Sequence, residues 1–214
     1  MIKVAAALRT VLKGIKTLDS EVIRLTDALG RVLAGDIHSD SDIPGFDNSA
    51  MDGYAVATID LRGASKNNPK VLEIIDDLKA GDIPGKKLKN NQAIRIMTGA
   101  PMPKGADSVV MVEDTKRTNG IGHRAKGIEF VRIFKEVKTG ENVRRAGEDI
   151  KRGEKVLRRG LLLKPAHIGV LASLGRAKVK VTRRPQVAVL ATGDEVVDVK
   201  EKLKPGKIRS SNTY

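Results

Sequence analysis

Between residues 71 and 134, four β-branched runs follow one another at short intervals: VLEIIDDL, QAIRIM, DSVVMVED and IEFVRIF. Turns rich in Gly, Pro and Asn separate them, and this succession restricts the possible folds more than any other feature. Runs of this length and composition read as strands of a small β-rich unit. The two ends of the chain differ in kind. Val4, Leu8, Val11, Leu12 and Ile15 recur at helical spacing, with Gly14 as a breaker, and predict an opening helix. EVIRL then alternates like a strand, Thr26 is placed to cap a short helix through Leu33, and DIHS at 36–39 reads as extended. Lys164-Pro165 starts a helix that runs to Leu174, where Gly175 terminates it, and KVKV follows as an exposed strand. After the Arg183-Arg184-Pro185 break, VAVLATGDE reads as a short apolar strand running into a polar turn, the way a parallel α/β domain begins. Ser211 or Asn212 would cap its first helix.

Composition narrows the chemistry. Cys is absent, which excludes disulfides, thiolate nucleophiles, zinc–thiolate sites and iron–sulfur clusters. The apolar fraction of 40% over 214 residues is enough to build a core, but no apolar run approaches the length of a membrane span. A cytoplasmic location with no membrane contact is the expectation. The net charge of +14 is concentrated: residues 1–115 hold 15 basic and 16 acidic side chains, 116–184 hold 20 and 6, and 185–214 hold 5 and 4. A field of that kind attracts anions, whether a polynucleotide or a small phosphorylated ligand, and a solvated charged face explains much of it as well. With 3 Phe, 2 Tyr and no Trp, a stacking platform for single strands is hard to build. A nucleic-acid binder therefore ranks last among the readings.

Four stretches carry possible chemistry, and each also has a plain structural reading. PGFDNSAMDGYAV at 44–56 gathers Asp47, Asn48, Ser49 and Asp52 beside a Pro-Gly turn, where Asx and Ser turns and an Asp-Gly hairpin would suffice locally. IRIMTGAPMP delivers Thr98 and Gly99 from a strand end into a Pro-stiffened loop, so that the hydroxyl and the Gly amide could meet an oxyanion. NVRRAGEDI places Arg144 and Arg145 before an acidic turn ending in Asp149, a pattern suited to phosphate or pterin carbonyl groups, or to a surface ion pair. ATGDE puts Asp194 and Glu195 beyond a strand's carboxyl end, where open α/β sheets bind ligands and where helices are also capped. His38, His123 and His167 lie far apart with no ligand spacing and read as structural or surface residues.

In their order and wording, PGFDNSAMDGYAV, IRIMTGAPMPKGADSVVMVED, VRRAGEDI, ASLG and VAVLATGDE closely resemble the MoeA and gephyrin E-domain family of molybdenum-cofactor synthesis, over nearly the whole chain. The resemblance implies a mixed α/β (α+β) fold. Residues 1–40 and 148–183 would form a discontinuous first domain, 41–147 an inserted β-rich second domain, and 184–214 the start of a third, α/β domain. It implies ligation of molybdate into adenylylated molybdopterin with release of AMP, dependent on Mg2+, in a homodimer supplied by a molybdopterin adenylyltransferase upstream. Asp52, Thr98 and Glu195 take catalytic roles by this resemblance, with Glu195 also a candidate metal ligand. Phe46, Asn48, Ser49, Arg144 and Asp149 contact or shape the substrate site.

Family members continue beyond the length of this chain, so the sequence reads as an N-terminal portion, inactive alone and open to completion by a second polypeptide. The stretch from about 185 is expected to be poorly ordered unless something pairs with it. The alternative within the family is a noncatalytic dimerisation or scaffold module.

Overall fold

The computed structural model describes residues 2–119 and 128–213; His123 lies outside them. In chain order the helices are α1 Val4–Lys13 and α2 Pro165–Ser173. The strands are β1 Ser20–Arg24, β2 Ile37–His38, β3 Asn48–Ser49, β4 Gly53–Val56, β5 Lys70–Leu78, β6 Gln92–Ile96 and β7 Ser108–Met111. They continue with β8 Thr115–Asn119, β9 Glu129–Ile133, β10 Val143–Arg144, β11 Lys155–Leu157, β12 Lys178–Thr182, β13 Val196–Val197 and β14 Ile208–Arg209. The class is α+β, mostly strands with two helices, and each of the four β-branched runs contains one of these strands.

The chain packs as two compact units, one of residues 36–158 and one of residues 1–35 with 159–214. In the first, six strands form one sheet in the order β7-β4-β6-β5-β9-β8. All neighbours are antiparallel except β5 and β6. Both faces of this sheet are covered. Tyr54, Val56, Val110, Val131 and Ile133 pack on one side, and Ala55, Ile94, Ile96 and Val109 on the other. That explains why Gly53–Val56 is buried at all four positions and its sequence does not alternate. Each fully buried Val or Ile here is worth roughly 1.5–3 kcal/mol relative to exposure. Two short antiparallel pairs, β3 with β10 and β2 with β11, join the start of this unit to its end.

The other unit is held by β1 paired antiparallel with β12, Ser20 opposite Thr182, and by α2, whose Leu171 is fully buried. His167 has a structural role: its Nδ1 accepts the backbone N–H of Lys164 at 3.1 Å, closing the helix N-terminus. Gly175, at φ +69°, follows the end of α2 and turns the chain away.

Four expectations need correction. KVKV, in β12, is not an exposed strand: Lys178 and Lys180 are exposed but Val179 and Val181 are buried, so the strand is half-buried in alternation. The helix from Thr26 to Leu33 is replaced by a three-residue 3-10 turn, Leu25–Asp27. Beyond it the backbone of Gly30 and Leu33 donates to Leu163 and Leu161, and Leu33 is buried. Long-range pairing and core burial outweigh the local cap signal. Asp52-Gly53 does not turn a hairpin, because β3 pairs with β10 whereas β4 enters the large sheet between β6 and β7. Finally, VAVLA at 187–191 has no regular secondary structure, and Val187 and Leu190 are exposed. Strand pairing in this stretch occurs instead between β13 and β14, which are parallel.

Helix α1 forms where the periodicity places it, yet it buries none of its residues; Val4 is 85% and Leu12 53% exposed.

Candidate active site

The site grows from one sharp change of direction in the chain. β3 ends at Ser49, whose hydroxyl donates to the carbonyl of Met51 at 2.5 Å while the Met51 N–H returns to the same oxygen at 3.3 Å. Asn48 Nδ2 donates to the carbonyl of Phe46 at 3.2 Å. Both side chains are buried and satisfied locally, so they shape the turn, and Phe46 stands half-exposed at its rim. The turn delivers Asp52 to the surface just before β4 enters the sheet.

Thr98 meets it there. The β6 strand, next to β4, ends at Ile96, and Thr98 donates both its backbone N–H (2.8 Å) and its hydroxyl (2.7 Å) to Asp52 Oδ1. The next amide, Gly99 N–H, donates to Ser49 O at 2.9 Å. The oxyanion role expected for the Thr98 hydroxyl and Gly99 amide is therefore excluded in this arrangement: all three donors are occupied, two of them by a carboxylate. These donors hold the Asp52 carboxyl below its ordinary 3.8, chiefly through the two Thr98 hydrogen bonds, with the Arg95 guanidinium adding to the effect. Arg95 itself stacks over the Tyr54 ring at 5.3 Å. The other oxygen, Oδ2, has no hydrogen-bond partner among the described residues. An exposed, firmly ionised carboxylate with one open oxygen binds a cation or accepts a proton donor; it repels an oxyanion.

The sign of the pH dependence follows. A carboxyl whose folded pKa is lowered contributes its stabilisation fully above 3.8 and loses it as pH falls through the lower folded value. The Thr98 amide resonance is expected to stay constant from about pH 7 to about pH 4 and to shift only below that. A midpoint above 3.8 in an NMR titration would show that Asp52 is not held as described.

The Arg-rich segment lies on the other side of the same turn. In the β3–β10 pair Arg144 is opposite Asn48 and Val143 opposite Ser49. Arg144 forms an ion pair with Asp149, and Arg145 Nη1 reaches Asp47 Oδ2 at 2.6 Å while Ala146 N–H donates to Asp47 Oδ1 at 2.8 Å. The Ala146 and Arg145 hydrogen bonds lower the Asp47 pKa. Asp47 is thus a tether between segments nearly a hundred residues apart, a role that its local Asx signal hid. Each guanidinium is fixed by one carboxylate, with further N–H donors left to meet an anion.

Asp52, Thr98, Asn48, Ser49, Phe46, Arg144 and Asp149 all belong to the 36–158 unit, and the contacts above bring them together. Glu195 belongs to the other unit, where its carboxylate folds back over Gly193 and its carbonyl accepts the Ile208 N–H at 2.8 Å. Among the described residues no three His, Cys, Asp or Glu side chains gather as a metal cage. A metal that coordinates mainly water and substrate oxygens needs no such cage. Mg2+ fits that pattern with one carboxylate, and Asp52 Oδ2 offers it.

The unit of residues 36–158 is thus a mixed β-sheet covered on both faces, whose surface turn presents a locked Asp52–Thr98 pair beside two arginines each bound to a carboxylate. Residues 2–175 match the family described as MoeA N-terminal region (domain I and II), and the chain belongs to that family. It is 41% identical over 211 residues to the molybdopterin molybdenumtransferase of Bacillus subtilis (strain 168) and 42% identical to that of Staphylococcus epidermidis. These alignments cover 99% of this chain and 48% of each relative, so the chain spans about half their length. The crystal structure of the molybdopterin biosynthesis MoeA protein from Pyrococcus horikoshii OT3 superposes with a TM-score of 0.86 at 36% identity, over 96% of this chain and 52% of that one.

Proposed function

We propose that this chain is the N-terminal portion of a molybdopterin molybdenumtransferase, which joins molybdate to adenylylated molybdopterin and releases AMP. The observation that carries the reading is the Asp52–Thr98 lock, which keeps one carboxylate oxygen ionised and open at the motif position the family resemblance marks. Both reactants are anions, and bringing them together requires compensating charge. Arg144 and Arg145 supply fixed positive charge on one side. Asp52 would hold Mg2+, with Glu195 a further candidate ligand by the family resemblance, and the ion would offset the negative charge of the two reactants. Asn48, Ser49, Phe46 and Asp149 keep the surrounding loops in place.

The proposed domain division is 1–40 with 148–183 around an inserted 41–147, and 184–214 opening a third domain. The parallel β13–β14 pair is in keeping with the last part, since all-parallel sheets belong to α/β units. We assign the protein to a homodimer, on the apolar stripe that α1 leaves exposed. A molybdopterin adenylyltransferase supplies the substrate. The same exposed stripe favours a second reading, a noncatalytic dimerisation module.

Among the described residues no helix is long and apolar enough to cross a membrane, and we place the protein in the cytoplasm.

AMP release from adenylylated molybdopterin, molybdate and Mg2+ separates the readings. The chain alone is expected to give negligible turnover, because losing half of a positioned set forfeits roughly 7 kcal/mol or more of proximity and electrostatic gain. Addition of a polypeptide supplying the remainder of the relatives' length is expected to restore it. Full turnover by the chain alone would show the missing half to be dispensable. No turnover in the completed mixture would leave the dimerisation module.

A further inference from the structure

We propose that the cleft between the 79–91 and 97–107 loops is an additional anion-binding subsite, one that takes the phosphate group of an organic ligand. The cleft has a volume of about 360 Å3 and is lined by Lys86, Lys87 and Lys104 together with Pro84, Pro101 and Met102. Its cations are brought together by backbone structure. Leu88, buried in the core with Ile94 and Ile96, donates its N–H to the carbonyl of Lys104 at 2.8 Å. Gly105, at φ +94°, makes that approach possible, since a Cβ there would lie 2.6 Å from the Leu88 carbonyl oxygen. Lys87 and Lys104 are therefore each next to a residue of one tight loop-to-loop crossing.

Two of the three charges are not balanced locally. Lys86 Nζ donates to the Ile75 carbonyl at 2.5 Å and lies 3.9 Å from Asp76. Lys87 and Lys104 have no side-chain hydrogen bond or ion pair among the described residues. The loop KAGDIPGKKLKNN holds four Lys and one Asp. Lysines lining a concave surface, two of them without a side-chain partner among the described residues, suit a compact, multiply charged oxyanion, and phosphate is the commonest such group on a small ligand. The Pro84, Pro101 and Met102 wall provides apolar contact for the part of the ligand that carries it.

The cleft adjoins the Asp52–Thr98 turn through a shared loop. Ala80 Cβ lies 3.9 Å from the position a Gly99 Cβ would take, and Pro101 forms a β-bridge with Asn48. None of its three lysines belongs to the set described above, and the inference stands on its own observations under either functional reading.

AMP and inorganic phosphate, titrated separately into 15N-labelled chain at low salt, test it. Amide shifts are expected at residues 85–88 and 102–105, saturating with AMP at about millimolar concentration and more weakly with phosphate. Lys87→Gln with Lys104→Gln is expected to weaken AMP binding at least about tenfold. Lys13→Gln with Lys16→Gln, which removes the same charge elsewhere, is expected to change it less than about twofold. All four lysines are exposed, so both variants keep the dispersed spectrum of the folded chain.

Equal weakening by the two pairs would show only a general basic field and overturn the proposal. So would shifts confined to 144–149, absence of saturation, or AMP binding no tighter than phosphate. If AMP saturates this cleft but the completed protein releases no AMP from adenylylated molybdopterin, the transferase reading falls and this one stands.

Discussion

Gly53→Ala is expected to destabilise the β-sheet unit by about 3 kcal/mol or more, lowering its melting temperature by roughly 10 °C. Gly53 is a buried residue of β4, between β6 and β7, and a Cβ built on it would lie 1.9 Å from the carbonyl oxygen of Val110 and 2.9 Å from its carbonyl carbon. The obstacle is backbone in a neighbouring strand, so no side-chain rotation can relieve it. The strands must separate, which breaks the ladder in which Tyr54 is opposite both Arg95 and Val110. Circular dichroism melting of Gly53→Ala beside Gly63→Ala makes the comparison. Gly63 has open space around its Cβ position, and strain there comes from φ alone. A Gly53→Ala melting point within about 2 °C of the parent would mean that β4 can move away from β7 at little cost.

The same glycine illustrates what local sequence can and cannot specify. Its neighbour Asp52 makes it look like half of a hairpin turn, and only the strand order assigns it a different task, close passage of one backbone past another. Elements whose signals lie within a few residues were legible. The α2 helix is bounded by Pro165 and Gly175, and β5, β6, β7 and β9 fall within the β-branched runs. Thr26 carried an equally good local signal and lost, because Leu33 gains more from burial beside Val181 than from a second turn of helix. The parallel contact of β5 with β6 could not be read from either strand, since pairing direction is settled by the connections and by the neighbours on both sides.

For the candidate site, three of the four motifs lie in loops that the fold brings together, but the wiring between those loops was not legible. Asp52 and Thr98 are 46 positions apart and Asp47 and Arg145 98 apart, and no residue-type pattern connects such pairs. The motif resemblance singled out Asp52 and Thr98, but not that Thr98 spends both donors on Asp52. Gly99 looked like an anion-binding amide because glycine permits close approach. In the fold that freedom, at φ +83°, is used to return its N–H to Ser49. The lysines of the 79–91 loop were hidden by averaging, since residues 1–115 as a whole are nearly neutral while this loop alone holds four Lys against one Asp.

Asp52→Asn is expected to reduce AMP release by the completed protein about 100-fold or more while leaving the fold intact. The substitution separates the two things Asp52 does. An asparagine has one carbonyl oxygen, and the Thr98 N–H and hydroxyl, both donors, select it for the position Oδ1 now occupies at 2.8 and 2.7 Å. The lock between β4 and the 97–104 loop is therefore kept. The open oxygen, however, becomes an NH2 group that donates where Oδ2 accepted, and the negative charge is gone. Asp52→Ala loses both the charge and the lock. If charge at the open oxygen is what the reaction needs, the two variants lose activity to a similar degree, while only Asp52→Ala speeds hydrogen exchange at the Thr98 amide. If Asp52 acts solely by holding Thr98, Asp52→Asn retains activity and exchange protection together. More than about a tenth of parental AMP release in Asp52→Asn, with the Thr98 amide still protected, would remove Asp52 from the reacting centre and leave it as a positioning residue for the loop.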